Sequence, residues 1–230
     1  MRFPFATYGL KDLFGLSFIC LAALAPCLWF GAEWPILYAV ALIPFAFLLI
    51  VVNFFRDPER TTPQGPLLII APADGVVKDI EDVEEPTFLG GTASRLGIFL
   101  SPLDVHVNRM PMACTAAQVV YRKGKMLKAY DPLCITENES CATFIEVLEG
   151  RGRLIVRQVT GAVARRIVCP VQPGDTYAAG QRYGMIKFGS RTEVWVPEHL
   201  QVSWSVKIGD RVRAGETVIG TIVDPGAPTV

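Results

Sequence analysis

A mainly β domain behind an α-helical membrane hairpin is the fold class that the sequence predicts. Three observations carry it. Two uncharged apolar runs occupy the first 55 residues. The rest is filled by short apolar and β-branched runs, punctuated by Gly, Pro, Asp and Asn. No long stretch after residue 56 keeps a helical period. The 230 residues suffice for one ordinary domain plus an appendage. The 22 basic and 22 acidic side chains cancel, so no global field points to a nucleic-acid partner.

The first apolar run, Leu13–Phe30, reads LFGLSFICLAALAPCLWF, and the second, Pro35–Val52, reads PILYAVALIPFAFLLIVV. Each has about 18 residues and would make a helix of roughly 27 Å, close to the thickness of a bilayer core. Only GAEW separates them, so the pair predicts a hairpin of two helices, about 13–30 and 35–52. Pro26 and Pro44 fall inside, which membrane helices tolerate. A signal peptide competes for the first run, but the second run and the lack of a small-x-small cleavage site argue against it. A re-entrant hairpin and a buried hairpin of a soluble core stay open. Arg2 and Lys11 precede the runs, Arg56 and Arg60 follow them, and the link carries only Glu33. The positive-inside rule then places the following domain on the cytoplasmic side of the cell membrane.

The stretch RDPERTTPQGP, residues 56–66, is a polar, proline-rich exit that reads as a linker, which sets the boundary between a hairpin over 1–55 and a domain over 56–230. Strands are predicted at Leu67–Ile70, Gly75–Ile80, Arg95–Leu100, Ala117–Tyr121, Thr143–Leu148, Arg153–Val159, Ala164–Val168, Met185–Phe188, Thr192–Val196 and Thr217–Ile222. Two segments sharpen the fold. APADGVVKDI (Ala71–Ile80) and VKIGDRVRAGETVIGTI (Val206–Ile222) look like the two ends of a barrel-sandwich of the biotinyl/lipoyl type. Gly209, Asp210, Val212 and Gly215 match its chain-reversing turn, where glycines permit positive φ and an aspartate bonds backbone amides. A carrier domain of that type also needs a modifiable lysine at a hairpin tip, and no good candidate is present. The six cysteines lack CxxC spacing, which favours buried thiols in a reducing compartment over zinc or a disulfide framework.

The candidate chemistry is sparse. There is no HExxH, P-loop, GxGxxG or GxSxG, and with only two histidines metal catalysis has weak support. His106 lies in FLSPLDVHVNRMP (Phe99–Pro111), where Asp104 and Asn108 would share its strand face. His199 reads as a loop residue. Asp74, in PADG, is a turn aspartate or an acid/base partner. Glu137, Asn138 and Glu139 read as loop residues, and Lys123 and Lys125 as a solvated face or a patch for anionic headgroups. In YGMIKFGSRTEVWVP (Tyr183–Pro197), Gly189-Ser190 is either a turn before a strand or a serine prepared for chemistry. Of the flanking cations, Arg191 reads as a solvated strand edge.

FFRDPER (Phe54–Arg60), PADG (Pro72–Gly75), FLSPLDVHVNRMP, ITENE (Ile135–Glu139) and GMIKFGSRTEV (Gly184–Val194) stand in the same order as in phosphatidylserine decarboxylases. The chain resembles the short, membrane-associated branch of that family, which includes archaetidylserine decarboxylase-like proteins. The resemblance implies a self-processing enzyme cut between Gly189 and Ser190 into a β chain, 1–189, and an α chain, 190–230. Ser190 would attack the Gly189 carbonyl and end as a covalent pyruvoyl group. That group would take the substrate amine as a Schiff base and accept the electrons released with CO2. The resemblance makes Asp74 the base for self-cleavage and His106 the group managing decarboxylation and proton transfer. It also implies a serine-lipid substrate at a membrane, with phosphatidylethanolamine as product. Longer members carry a second histidine three positions after the first, where this sequence has Arg109. Arginine does not act as a general base, so Arg109 is expected to bind an anion, either Asp74 or the substrate, and Lys187 to help hold the substrate. A membrane-tethered carrier or binding module, or a pyruvoyl decarboxylase of another substrate, are the competing readings, and the oligomeric state is open.

Overall fold

The computed structural model describes residues 4–127, 133–161, 166–187 and 190–223. They fall into two compact units, Met1–Glu59 and Arg60–Val230. In the first, helices α1 (Leu10–Phe30) and α2 (Ile36–Phe54) pack as a hairpin, with Pro26 and Pro44 inside them. Their outer faces leave Phe14, Phe18, Trp29, Leu42 and Ile43 exposed. Both helices are long and apolar enough to cross a membrane. The entry and exit of the hairpin are tied side by side: Ala6 N–H donates to Phe55 O and Asp57 N–H to Pro4 O, each at 2.8 Å. Both ends of the hairpin therefore lie together.

The second unit is built of antiparallel strands: β1 (Leu68–Ile70), β2 (Gly75–Glu85), β3 (Gly91–Leu100), β4 (Val107–Arg109), β5 (Cys114–Arg122), β6 (Ser140–Val147), β7 (Gly152–Thr160), β8 (Arg166–Val168), β9 (Thr176–Tyr177), β10 (Arg182–Lys187), β11 (Ser190–Pro197), β12 (Val202–Trp204), β13 (Arg211–Val212) and β14 (Val218–Ile222). The largest sheet runs β13-β2-β3-β11-β7-β6-β5-β9, and two smaller ones run β1-β14-β12 and β4-β10-β8. Each predicted strand overlaps one of these, with Leu67, Leu148 and Thr217 just outside the strand ends; Ala164, Arg165 and Phe188 lie outside the described residues. The short β4, β9, β12 and β13 are additions, too brief to leave a period-2 signal.

The two segments read as domain ends do meet. Gly209 N–H donates to Val77 O and Val77 N–H to Asp210 O, each at 2.9 Å, and Arg211 pairs with Val76. Gly209 and Gly215 have φ of 96° and 75°, as the turn requires. The main core lies on one face of the large sheet, where Val77, Leu96, Ile98, Val156, Val194 and Val196 point toward Met110, Tyr183 and Ile219. One expectation fails: Cys134–Glu137 is a single helical turn, not a loop. It is too short to carry a hydrophobic period. No disulfide joins the described cysteines.

Candidate active site

Ser190 is the first residue of β11, the strand flanked by β3 and β7 in the large sheet. It stands opposite Leu100 on one side and Thr160 on the other. It is fully buried, and its Oγ has no hydrogen-bond partner among the described residues. A hydroxyl buried without a partner costs about 1–3 kcal/mol, which a structural serine would avoid by bonding. Gly189 lies outside the described residues.

Asp74 arrives at the same end of the sheet. Val76 pairs with Phe99, so the start of β2 lies beside Leu100, which in turn faces Ser190. Two strand spacings put the Gly75 and Ser190 backbones ~10 Å apart. Gly75 permits this approach, because a Cβ there would lie 2.1 Å from Phe99 O. The Asp74 carboxylate is gripped on both oxygens: Ala214 N–H donates to Oδ1 at 2.8 Å, and Arg60 Nη2 to Oδ2 at 2.9 Å. Arg60 also reaches Glu216 with Nη1 at 2.8 Å. Burial raises the Asp74 pKa above the ordinary carboxylate value, although the Ala214 amide and the Arg60 guanidinium pull it down. The cation paired with Asp74 was not found by sequence reasoning, which placed Arg60 among the charges flanking the membrane run. Its signal was there, in FFRDPER.

His106 is fully buried just before β4. Its Nδ1 lies 2.9 Å from Asp104 O. A carbonyl oxygen only accepts, so Nδ1 carries the proton and Nε2 is the nitrogen whose protonation can change. The expected strand face shared by Asp104, His106 and Asn108 is not formed, because the strand begins only at Val107. The Asp104 carboxylate instead accepts from Ser101 N–H at 2.8 Å and faces Arg211 at 3.5 Å. Asn108 fastens three segments together. Its Nδ2 donates to Thr192 Oγ1 at 3.0 Å and to Pro72 O at 3.5 Å, and its Oδ1 accepts from Gln158 at 2.9 Å. Arg109 N–H adds a bond to Pro72 O at 2.9 Å. The PADG segment, the histidine segment and the start of β11 are thus joined within two residues of each chemical group.

Arg109 is buried and donates through Nη1 to Gly180 O at 3.1 Å. Its side chain runs past Gly215, where a Cβ would lie 2.7 Å from Arg109 Cδ. Lys187, also buried, ends β10 opposite Arg166. Arg191 corrects an expectation. It is not a solvated edge but 3 % exposed, paired with Asp79 and with Glu193 Oε1 at 2.7 Å. Gly97 leaves room for its guanidinium, which a Cβ there would meet at 1.9 Å. Burial opposes its charge, but Asp79 and Glu193 more than offset this and hold Arg191 firmly protonated.

Of the ITENE residues, Asn138 is the structural one. Fully buried, it brackets Leu127 through both backbone groups at 2.8 Å and donates to Thr160 O at 2.7 Å, steadying the residue opposite Ser190. Glu137 pairs with Lys125 at 2.7 Å. His199 is exposed at the other end of β11. A cavity of about 330 Å³, lined by Leu68, Met112, Val147, Arg151 and Ala179 among others, also opens at that other end, away from Ser190.

Comparison with known proteins bears on this geometry. The sequence profile of the phosphatidylserine decarboxylase family matches residues 47–220. The chain is 39% identical over 209 residues to the phosphatidylserine decarboxylase proenzyme of Desulfotalea psychrophila, covering 91% of this chain and 95% of that one. It is 42% identical over 218 residues to the proenzyme of Chlorobium chlorochromatii, covering 93% and 98%. With that of Carboxydothermus hydrogenoformans the identity is 45% over 183 residues, covering 80% and 84%.

Proposed function

The chain belongs to the phosphatidylserine decarboxylase family, and we propose that it is a membrane-held proenzyme that cuts itself at Gly189-Ser190 and then decarboxylates phosphatidylserine to phosphatidylethanolamine. The observation that carries the reading is the Ser190 hydroxyl, buried without a hydrogen-bond partner among the described residues and ~10 Å by strand spacing from the segment of a gripped, pKa-raised carboxylate.

In the first half, Ser190 Oγ attacks the Gly189 carbonyl and the peptide becomes an ester. Asp74 takes the hydroxyl proton; its raised pKa makes it a better base than an ordinary aspartate, and Arg60 with the Ala214 amide keeps it aimed. Loss of the ester carboxylate from the serine Cβ leaves dehydroalanine, whose hydrolysis gives ammonia and a pyruvoyl end on the α chain. The unsatisfied buried position of Ser190 Oγ suits that conversion, because a carbonyl there sacrifices no existing side-chain bond.

The pyruvoyl group would supply an electron sink for the bonding pair left on the substrate Cα when CO2 departs. The surrounding residues do the rest. His106, its tautomer fixed by Asp104 O, holds the substrate carboxylate and returns a proton through Nε2. Arg109 and Lys187 are assigned to the phosphate and carboxylate of the lipid headgroup. Asn108 and Gln158 keep these segments in register with β11. The two apolar helices hold the enzyme at the membrane, with the β unit on the cytoplasmic side.

The test is phosphatidylethanolamine formation from phosphatidylserine vesicles by the purified full chain. Wild type should turn over. Ser190→Ala should give none, and His106→Ala should be cut yet slowed by at least about 10²-fold. A processed His106→Ala with wild-type turnover would remove His106 from the site.

A further inference from the structure

Sheet register divides the β unit into two ends. Ser190 faces Leu100 and Thr160, so the chain leaving β3 after Leu100 emerges at its end, as does the chain leaving β5 after Arg122, which pairs with Ser140. The turn before β13 borders that end from the side: it bonds Val77 on the sheet edge, inward of Gly75, while Arg211 just after it reaches Asp104. These loops carry large exposed apolar side chains: Leu103 at 66% and Ile208 at 61%, with Tyr121, Met126 and Leu133 across the sheet. One exposed leucine means nothing; several around a single rim call for a partner.

The rim also carries exposed cations, some of them paired with Asp104, Glu216 and Glu137. Lys207 precedes Ile208, Arg213 follows β13, and Lys78 stands outward from β2, all exposed. Arg211 reaches Asp104 at 3.5 Å and so ties the Leu103 loop to the Ile208 loop. On the far side Lys123 and Lys125 accompany Met126. Apolar tips on short loops, interleaved with lysine and arginine, suit a layered surface with anionic heads above acyl chains, rather than a flat protein face. Ser190 and His106 are fully buried beneath this rim, so a headgroup must be brought to it.

We propose that the Ser190 end of the β unit is a lipid-docking rim, in which Leu103 and Ile208 enter the interfacial layer of an anionic bilayer while Lys78, Lys207, Arg211 and Arg213 engage its headgroups. The proposal rests on the lipid-decarboxylase reading for the purpose of the rim. Its test does not.

Leu103→Trp, Ile208→Trp and, as a control at the opposite end of the sheet, Leu148→Trp are placed in the full chain in nanodiscs with brominated acyl chains and anionic headgroups. The emission added at 103 and 208 should be quenched at least about twofold more than that added at 148, as expected for side chains reaching the acyl boundary. Equal quenching at all three positions would overturn the proposal, and unquenched tips in a chain that dimerises would assign the rim to a second copy. Where a tryptophan variant does not fold, amide exchange of wild-type 101–104 and 206–210 replaces it. Both segments should slow when anionic lipid replaces zwitterionic, and an unchanged rate would count equally against docking. If no variant, wild type included, makes phosphatidylethanolamine while 103 and 208 are quenched, the activity fails and the docking stands.

Discussion

The two faces of β11 use the same chemistry to opposite ends. On one face, alternate residues Arg191, Glu193 and Trp195 set a buried guanidinium, a buried carboxylate and a half-buried indole that bond one another: Arg191 Nε and Trp195 Nε1 donate to Glu193 at 2.7 and 3.0 Å, and Asp79 takes the rest of Arg191. On the other face, Ser190, Thr192, Val194 and Val196 line the core. There Ser190 Oγ, Gln158 Oε1 and Tyr183 OH are buried without a partner among the described residues. A strand that satisfies large charges on one side and leaves a small hydroxyl unsatisfied on the other carries a local cost, as the proposed chemistry would require. The charged face anchors the strand; the serine face holds the hydroxyl proposed to react.

The largest effect should come from the reacting face. Asp74→Asn removes the proposed base and is expected to slow self-cleavage by about 10²–10⁴-fold, measured as the half-time of chain scission, with the fold intact. Asp74 also has a signed pH dependence. Its raised pKa means the folded chain binds that proton more tightly than the unfolded one, so its contribution to stability is present at acid pH and is lost as pH rises through the raised value. Denaturant titrations against pH should lose this slope in Asp74→Asn.

Next comes the charged face. Arg191→Met leaves the buried Glu193 to Arg157 at 3.6 Å and the half-buried Asp79 to Arg95 at 3.4 Å, and should cost about 3 kcal/mol in denaturant unfolding, while the molecules that remain folded still process. Loss of processing without loss of stability would erase the contrast between the faces. Arg60→Met is subtler. Removing a cation that lowers the Asp74 pKa should move the acid limb of the scission rate to higher pH, since Asp74 must be ionised to act. An unmoved limb would separate Arg60 from Asp74. Smallest of all, His199→Ala, exposed at the far end of the strand, should stay within about 0.5 kcal/mol of wild type and process normally.

How much of this was legible in sequence depends on the range of the interaction. The membrane-length helices, the longer strands and the Gly209–Gly215 turn follow from local periodicity and glycine chemistry. Ser190, Asp74 and His106 stand out as proposed site residues only through ordered motifs. Arg60 as partner of Asp74, Gln158 beneath Asn108, and the burial of Arg191 were not legible. Each depends on segments that the fold brings together from 14 to 112 positions apart, which no local pattern encodes. A cation beside a strand reads as solvated until the carboxylate of another strand is seen to cover it.

The central claim is that Ser190 is consumed to make the site. The direct measurement is intact mass under denaturing conditions on the purified full chain, wild type beside Ser190→Ala. The account predicts that wild type separates into a chain of residues 1–189 and a 41-residue chain, 190–230, that resists Edman sequencing because its first residue lacks an amine, whereas Ser190→Ala stays whole. A wild-type chain that is uncut yet makes phosphatidylethanolamine would contradict it.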